Sequence, residues 1–136
     1  MKASTLSFRL AVLFIITGIG MGIGMAASQD HSLMPVHAHV NLLGWVSMFL
    51  FGLYYERRPA LDVKRLALVQ VGVWAFGTVT LNAAVAALHL GHAGAEPIAG
   101  LSSLIVMAGA LLFAYFVFSP DRVSAPEQTL RMTPAE

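Results

Sequence analysis

Residues 37–55 read HAHVNLLGWVSMFLFGLYY, and this run decides the fold. It contains no Asp, Glu, Lys or Arg, and it is about as long as a helix must be to cross the hydrocarbon core of a bilayer. Polar and apolar residues do not alternate in it, as they do in the strands of a membrane β-barrel. The run therefore predicts a transmembrane helix, and the polar residues at its start need an explanation because such groups are costly in lipid.

Three further apolar runs of similar length surround this one, so the predicted membrane helices cover about 8–27, 37–55, 66–88 and 97–118. The chain is 57% hydrophobic and only 11% charged, which is too few charges to cover a small soluble domain. We predict an all-α integral membrane protein, with a four-helix transmembrane bundle in residues 1–118 and short links between antiparallel neighbours. Residues 119–136 are polar and carry three prolines, which predicts a flexible cytoplasmic tail.

The first run has an alternative interpretation as a cleaved signal peptide. It begins with Lys2, continues through an apolar middle and reaches small residues near Ala26. The apolar middle is long for a signal peptide, so we expect a membrane helix that stays in the protein.

The distribution of positive charge predicts the orientation. All basic residues fall at the N-terminus, in the second link or in the tail: Lys2, Arg9, Arg57, Arg58, Lys64, Arg65, Arg122 and Arg131. The positive-inside rule then places both termini on the cytoplasmic side of a bacterial inner membrane.

The net charge of +1 argues against nucleic acid as a partner. Without cysteine, disulfides, thiolate metal sites and cysteine nucleophiles are excluded.

The same orientation brings all five histidines to the periplasmic side. They are His31, His37, His39, His89 and His92. Neutral imidazole is a common metal ligand, so four of them, His37, His39, His89 and His92, are candidate metal ligands. His37 and His39 lie about 200° apart around a helix of 3.6 residues per turn, so they serve opposite sides, with Asn41 on the side of His37. His89 and His92 have the spacing of residues that share a helical face.

Two other patterns concern packing. Gly18 with Gly22, and Gly20 with Gly24, form overlapping small-xxx-small pairs that allow another helix to approach closely. In the third run, Gln70, Thr78, Asn82 and His89 form a polar seam that we expect to be buried against another helix.

Residues 37–55 resemble a helix of the catalytic subunit I of haem-copper oxidases and nitric oxide reductases, the cytochrome c oxidase subunit I-like superfamily. That subunit has twelve helices in three arcs of four, and one helix carries a His-x-His pair whose members ligate two different haems. His37 and His39 match this pair. ALHLGHAG, residues 87–94, is similar in position to the copper-ligating helix of the family but differs in spacing.

The resemblance implies a b-type haem, with His37, His39, Asn41 and Gly44 as cofactor-binding residues and copper as a second candidate cofactor. Because this chain is one arc long, it implies a homotrimer in which His37 of one protomer and His39 of its neighbour share a haem. The alternative is a homodimer in which His37 or His39 is opposed by His89 or His92. The function would be electron transfer with a respiratory partner, or binding of a diatomic gas. The family's outer arginines and its tyrosine near the histidines have no counterpart here. Complete oxygen reduction is therefore not expected, and no catalytic residue is assigned.

Two other functions stay open. The first is copper or zinc handling, in which Met21, Met25 and Met34 could join the histidines because thioethers suit Cu(I). The second is an accessory subunit of a respiratory complex that holds no cofactor. No nucleophile–base pair, phosphate loop or paired carboxylates occur, so a hydrolase or a kinase is not supported.

Overall fold

The fold is a bundle of four long helices, seen in a computed structural model that describes residues 1–119. The helices are α1 (Ala3–Ser28), α2 (Met34–Glu56), α4 (Arg65–His89) and α5 (Glu96–Phe118), and the short helix α3 (Pro59–Asp62) links α2 to α4. The predicted all-α four-helix architecture is confirmed. Apart from Ser119, the predicted flexible tail lies outside the described residues.

Each long helix is long and apolar enough to cross a membrane, so the protein is a multi-pass membrane protein in contact with lipid. Large apolar side chains such as Ile16, Leu42 and Leu104 are more than half exposed, as they are on a lipid-facing surface. The helices begin up to five residues before the predicted runs, as α1 does at Ala3 rather than near Phe8. The added residues of α1 include Ser4, Thr5 and Ser7, and the long side chain of Arg9 can reach the headgroups.

The helices pack as two close pairs, α1 with α2 and α4 with α5, and the pairs meet mainly through α4. The core at this junction is aromatic. Phe51 of α2 packs edge-on against Trp74 of α4, with ring centroids 5.0 Å apart, and lies 4.4 Å from the ring of Phe113 in α5. Edge-on aromatic pairs are favourable beyond the area that they bury. This cluster holds the two pairs together.

Hydrogen bonds inside the bundle join the same helices. The hydroxyl of Tyr55 donates to Gln70 Oε1 at 2.9 Å, and Gln70 Nε2 donates to the carbonyl of Gly109 at 3.3 Å. Tyr54 donates to the carbonyl of Phe116 at 2.8 Å. Because lipid offers no hydrogen-bonding partner, these bonds satisfy groups that would otherwise destabilise the bundle.

The start of α1 is tied to α3. Asp62 is buried and accepts hydrogen bonds from the backbone N–H of Ser4 at 2.7 Å and from its hydroxyl at 2.9 Å. A carboxylate at this position satisfies donors in the first turn of α1 and interacts favourably with the helix dipole. The first turn of α1 is therefore built into the bundle.

A π-helical segment, Val40–Val46, interrupts α2. Its wider turn is visible where the backbone N–H of Ser47 donates to Leu42, five residues earlier. The carbonyl of Leu43 accepts a hydrogen bond of 2.9 Å from the indole Nε1 of Trp74 in α4. Segments of this kind arise where a helix gains an extra residue, and they are frequent at functional sites. This one follows immediately after His37 and His39.

Candidate functional site

All five histidines lie at one end of the bundle, and the described basic residues lie at or towards the other. His31 is exposed in the link after α1, while His37 and His39 are in the first turns of α2. His89 is the last residue of α4, and His92 precedes the short 3-10 turn Ala93–Ala95. We call this end, with its five histidines, the histidine end.

His37 and Asn41 face α1. Asn41 Nδ2 donates to the carbonyl of His37 at 2.8 Å, and the same nitrogen lies 3.3 Å from His37 Nε2 and 3.5 Å from Nδ1. A Cβ on Gly22 would lie 3.3 Å from His37 Cε1, and one on Gly18 would overlap the amide of Asn41. Gly18 and Gly22 therefore make room for these two side chains. The prediction that His37 and Asn41 share one side of the helix is confirmed.

His39 is oriented differently. Its Nδ1 lies 2.7 Å from the carbonyl oxygen of Pro35, and a carbonyl only accepts, so Nδ1 carries the proton. The lone pair is then on Nε2, for which the described residues offer no hydrogen-bond partner. Histidines that ligate metals usually donate their other N–H to a carbonyl or carboxylate in this way, which fixes both tautomer and ring orientation. The half-buried ring of His39 thus has the arrangement of a ligand.

His89 repeats this arrangement at the surface. Its Nδ1 lies 2.9 Å from the carbonyl of Val85, which leaves Nε2 as the acceptor. The helix ends here, because Gly91 adopts a φ of 90° and turns the chain before His92. His92 consequently lies beyond α4, and the two histidines do not share a helical face as their spacing suggested. Gly91 was the signal in the sequence that could have shown this.

The predicted ligands form no cluster of three within the described part of one chain. Among residues 1–119 no three His, Asp or Glu side chains form a group that could hold a metal ion. The space beside Gly44, predicted to line a cofactor, is filled by Phe14, whose ring atoms lie 2.5 Å from where a Cβ would be. A groove of 310 Å³ between α4 and α5 has no histidine in its lining.

Among the described residues, the histidine end carries two acidic side chains and no Lys or Arg. Asp30 and Glu96 lie there, and the hydrogen bond of 2.9 Å from the backbone N–H of Ser32 holds the pKa of Asp30 below its usual value. Glu96 is in the first turn of α5, where a carboxylate interacts favourably with the helix dipole. This charge favours the approach of cations.

Comparison with protein-family models, with curated proteins and with solved structures gave no match. The interpretation of the site therefore depends on the geometry of the histidines and on the residues of α2.

Proposed function

We propose that this protein binds a b-type haem between protomers, which Nε2 of His39 would hold as a ligand, and that it acts in electron transfer or in binding a diatomic gas. The observation that carries the proposal is the hydrogen bond from His39 Nδ1 to Pro35, which fixes the ring and directs the lone pair to Nε2. His39 is a better candidate than His37, because the amide of Asn41 lies against both ring nitrogens of His37.

The residues present fit haem only when two copies are considered. One chain presents one half-buried imidazole with an available nitrogen, and no group of three His, Asp or Glu side chains that could hold a metal ion forms among residues 1–119. The surface of α2 is large and apolar, with Leu42, Trp45 and Phe49 all exposed, and suits the edge of a porphyrin as well as lipid. A homodimer or homotrimer would therefore supply the second ligand, from His39 or from His89 of a neighbour.

In this arrangement the chain's own residues would bind the haem and fix the orientation of its ligand. Pro35 holds the ring of His39, while Asn41, Gly18 and Gly22 fix the start of α2 against α1. Bound haem would supply the redox chemistry, and two imidazole ligands suit electron transfer whereas a free position suits gas binding.

The test is an optical spectrum of the purified protein, oxidised and then reduced with dithionite, with a pyridine haemochrome count. His39→Ala should abolish the reduced α band, while His31→Ala, a change in an exposed link, should keep it. Pairing of His39 with His39 of a neighbour predicts half a haem per chain, whereas pairing of His39 with His89 of a neighbour in a closed dimer or trimer predicts one haem per chain. Added CO would separate a gas binder, which shifts its spectrum, from an electron carrier.

A colourless protein, produced with haem supplied, would overturn the proposal, as would a His39→Ala variant that keeps its haem. Metal analysis of the same sample would then separate a copper- or zinc-handling protein from an accessory subunit without a cofactor.

A further inference from the structure

One face of α4 carries hydrogen-bonding side chains at every fourth position. They are Gln70, Trp74, Thr78 and Asn82, and all are buried. Residues four apart lie above one another on a helix, so these side chains form one continuous row along the bundle interior. The sequence predicted Gln70, Thr78 and Asn82 as a buried polar seam but missed Trp74. It was wrong for His89, which is exposed at the end of α4.

The two halves of the row differ in their hydrogen-bond partners. Gln70 and Trp74 bond to the neighbouring helices, through Tyr55, Gly109 and Leu43. Thr78 and Asn82 form the half nearer the histidine end, and Asn82 Nδ2 donates only to the carbonyl of Thr78 in its own helix, at 2.8 Å. Thr78 Oγ1 and Asn82 Oδ1 have no hydrogen-bond partner among the described residues.

Both oxygens are shielded from the lipid. Thr78 is fully buried and Asn82 is 7% exposed, so neither can reach the membrane interface. A buried polar group without a partner destabilises a protein, and valine or leucine would avoid that cost in this apolar bundle. Two such groups one turn apart on the same face indicate a ligand that both can hold.

Thr78 and Asn82 lie at about the same depth in the bundle as His37 and His39. Trp74 is bonded to Leu43, and α2 and α4 run antiparallel. Thr78 is one turn outward from Trp74, and His39 is about one turn outward from Leu43. The first two turns of α2 also contact α4. The ligand would therefore lie between α4 and the segment that carries His37 and His39.

We propose that Thr78 Oγ1 and Asn82 Oδ1 hold an internal water molecule in this half of the bundle. Asn82 Oδ1 only accepts, so its ligand must be a donor, and a water can donate to it while exchanging a second hydrogen bond with the hydroxyl of Thr78. A hard cation would need about six oxygen ligands, which two neutral side chains do not provide. The proposal does not depend on haem, so either proposal can fail without affecting the other.

The sign of a stability change tests the proposal. Thr78→Val keeps the shape of the side chain and removes the hydroxyl. If the site is hydrated, the variant loses hydrogen bonds to the water, and its unfolding temperature in a fixed detergent should fall by a few degrees. If the site is dry, the variant removes an unpaired group, and its unfolding temperature should stay the same or rise.

Thr80→Val is the matched control, because the hydroxyl of Thr80 is bonded within α4, to the carbonyls of Phe76 and Gly77. Thr78→Ser retains a hydroxyl and keeps the test valid if the valine variant does not fold. Infrared difference spectra should contain an O–H stretching band of internal water that shifts in oxygen-18 water, is lost in Thr78→Val and persists in Thr80→Val. An unchanged or raised unfolding temperature, or the lack of such a band in the parent protein, would overturn the proposal.

Discussion

The indole Nε1 of Trp74 donates a hydrogen bond of 2.9 Å to the carbonyl of Leu43, inside the π-helical segment of α2. This bond joins the two helix pairs midway along the bundle. It fixes the depth of α2 relative to α4, and the turns that carry His37 and His39 follow directly from the segment that it holds. The bond therefore connects the core of the bundle to the histidine end.

We expect Trp74→Phe to destabilise the protein, because Leu43 loses its donor and the phenyl ring fills less of the core than the indole. Hydrogen bonds between membrane helices contribute about 0.6 kcal/mol on average and reach about 1.7, so the hydrogen-bond part of the loss should fall in this range, and the lost packing adds to it. Unfolding in mixed micelles with increasing SDS would measure it. The control is Trp45→Phe, since Trp45 is the other tryptophan and is 39% exposed. Equal losses in both variants would contradict the role of the hydrogen bond.

The glycines of α1 should separate into two classes. Gly18→Ala is expected to destabilise by about 1–3 kcal/mol, because its Cβ would overlap the amide of Asn41 and force α1 away from α2. Gly22→Ala should have a smaller effect, since the contact with His37 is looser at 3.3 Å. The same unfolding assay would rank them.

Gly20→Ala and Gly24→Ala are the matched controls on the opposite side of α1, where an added Cβ meets no atom of the chain within 4 Å. These variants should unfold like the parent protein or later, because alanine favours a helix over glycine. A loss at Gly20 as large as that at Gly18 would show that the assignment of faces is wrong.

Much of the fold could be predicted from the sequence, because lipid leaves few alternatives to a helix of membrane length. The four spans followed from run lengths, and the shared side of His37 and Asn41 followed from their spacing. The sequence could not show, however, which of the two overlapping glycine pairs packs against another helix of the chain. Only the packing of α2 shows that Gly18 and Gly22 face a helix of the same chain.

Most of the features that the sequence did not predict depend on distant partners. The π-helical segment coincides with a carbonyl that bonds to Trp74 thirty-one residues away in the chain. The helical turn that ends at Asp62 is tied to Ser4 across most of two helices. The orientation of His39 is the exception, because Pro35 lies only one turn earlier. Helical geometry alone could have suggested that contact.

Tyr55 and Gln70 should show energetic coupling. Tyr55→Phe leaves Gln70 Oε1 without its donor in the core, so we expect a loss of about 1–3 kcal/mol. Gln70→Leu removes both the acceptor and the bond to Gly109. In the double variant the second substitution should cost less than it does alone, because the bond has already been lost. Additive losses in a double-mutant cycle, measured by unfolding in SDS, would contradict a direct interaction.

Asp62 should stabilise the start of α1. Asp62→Ala removes both hydrogen bonds to Ser4, and the expected loss is about 1–3 kcal/mol, whereas Asp62→Asn keeps one acceptor and should lose less.

Since the first turn of α1 is packed in the bundle, the mass of the purified protein should include α1. A mass that corresponds to cleavage near Ala26 would support the signal-peptide interpretation instead.

The orientation in the membrane can be tested directly, because the chain has no cysteine and single cysteines can be introduced without background. Ser32 lies in the link at the histidine end and Lys64 lies in the link before α4, and both are exposed. With the basic end in the cytoplasm, a membrane-impermeant thiol reagent added to intact cells should label Ser32→Cys and leave Lys64→Cys unlabelled until the inner membrane is broken. The reverse pattern would place the histidines in the cytoplasm. A haem at that end would then have to exchange electrons with cytoplasmic rather than periplasmic partners.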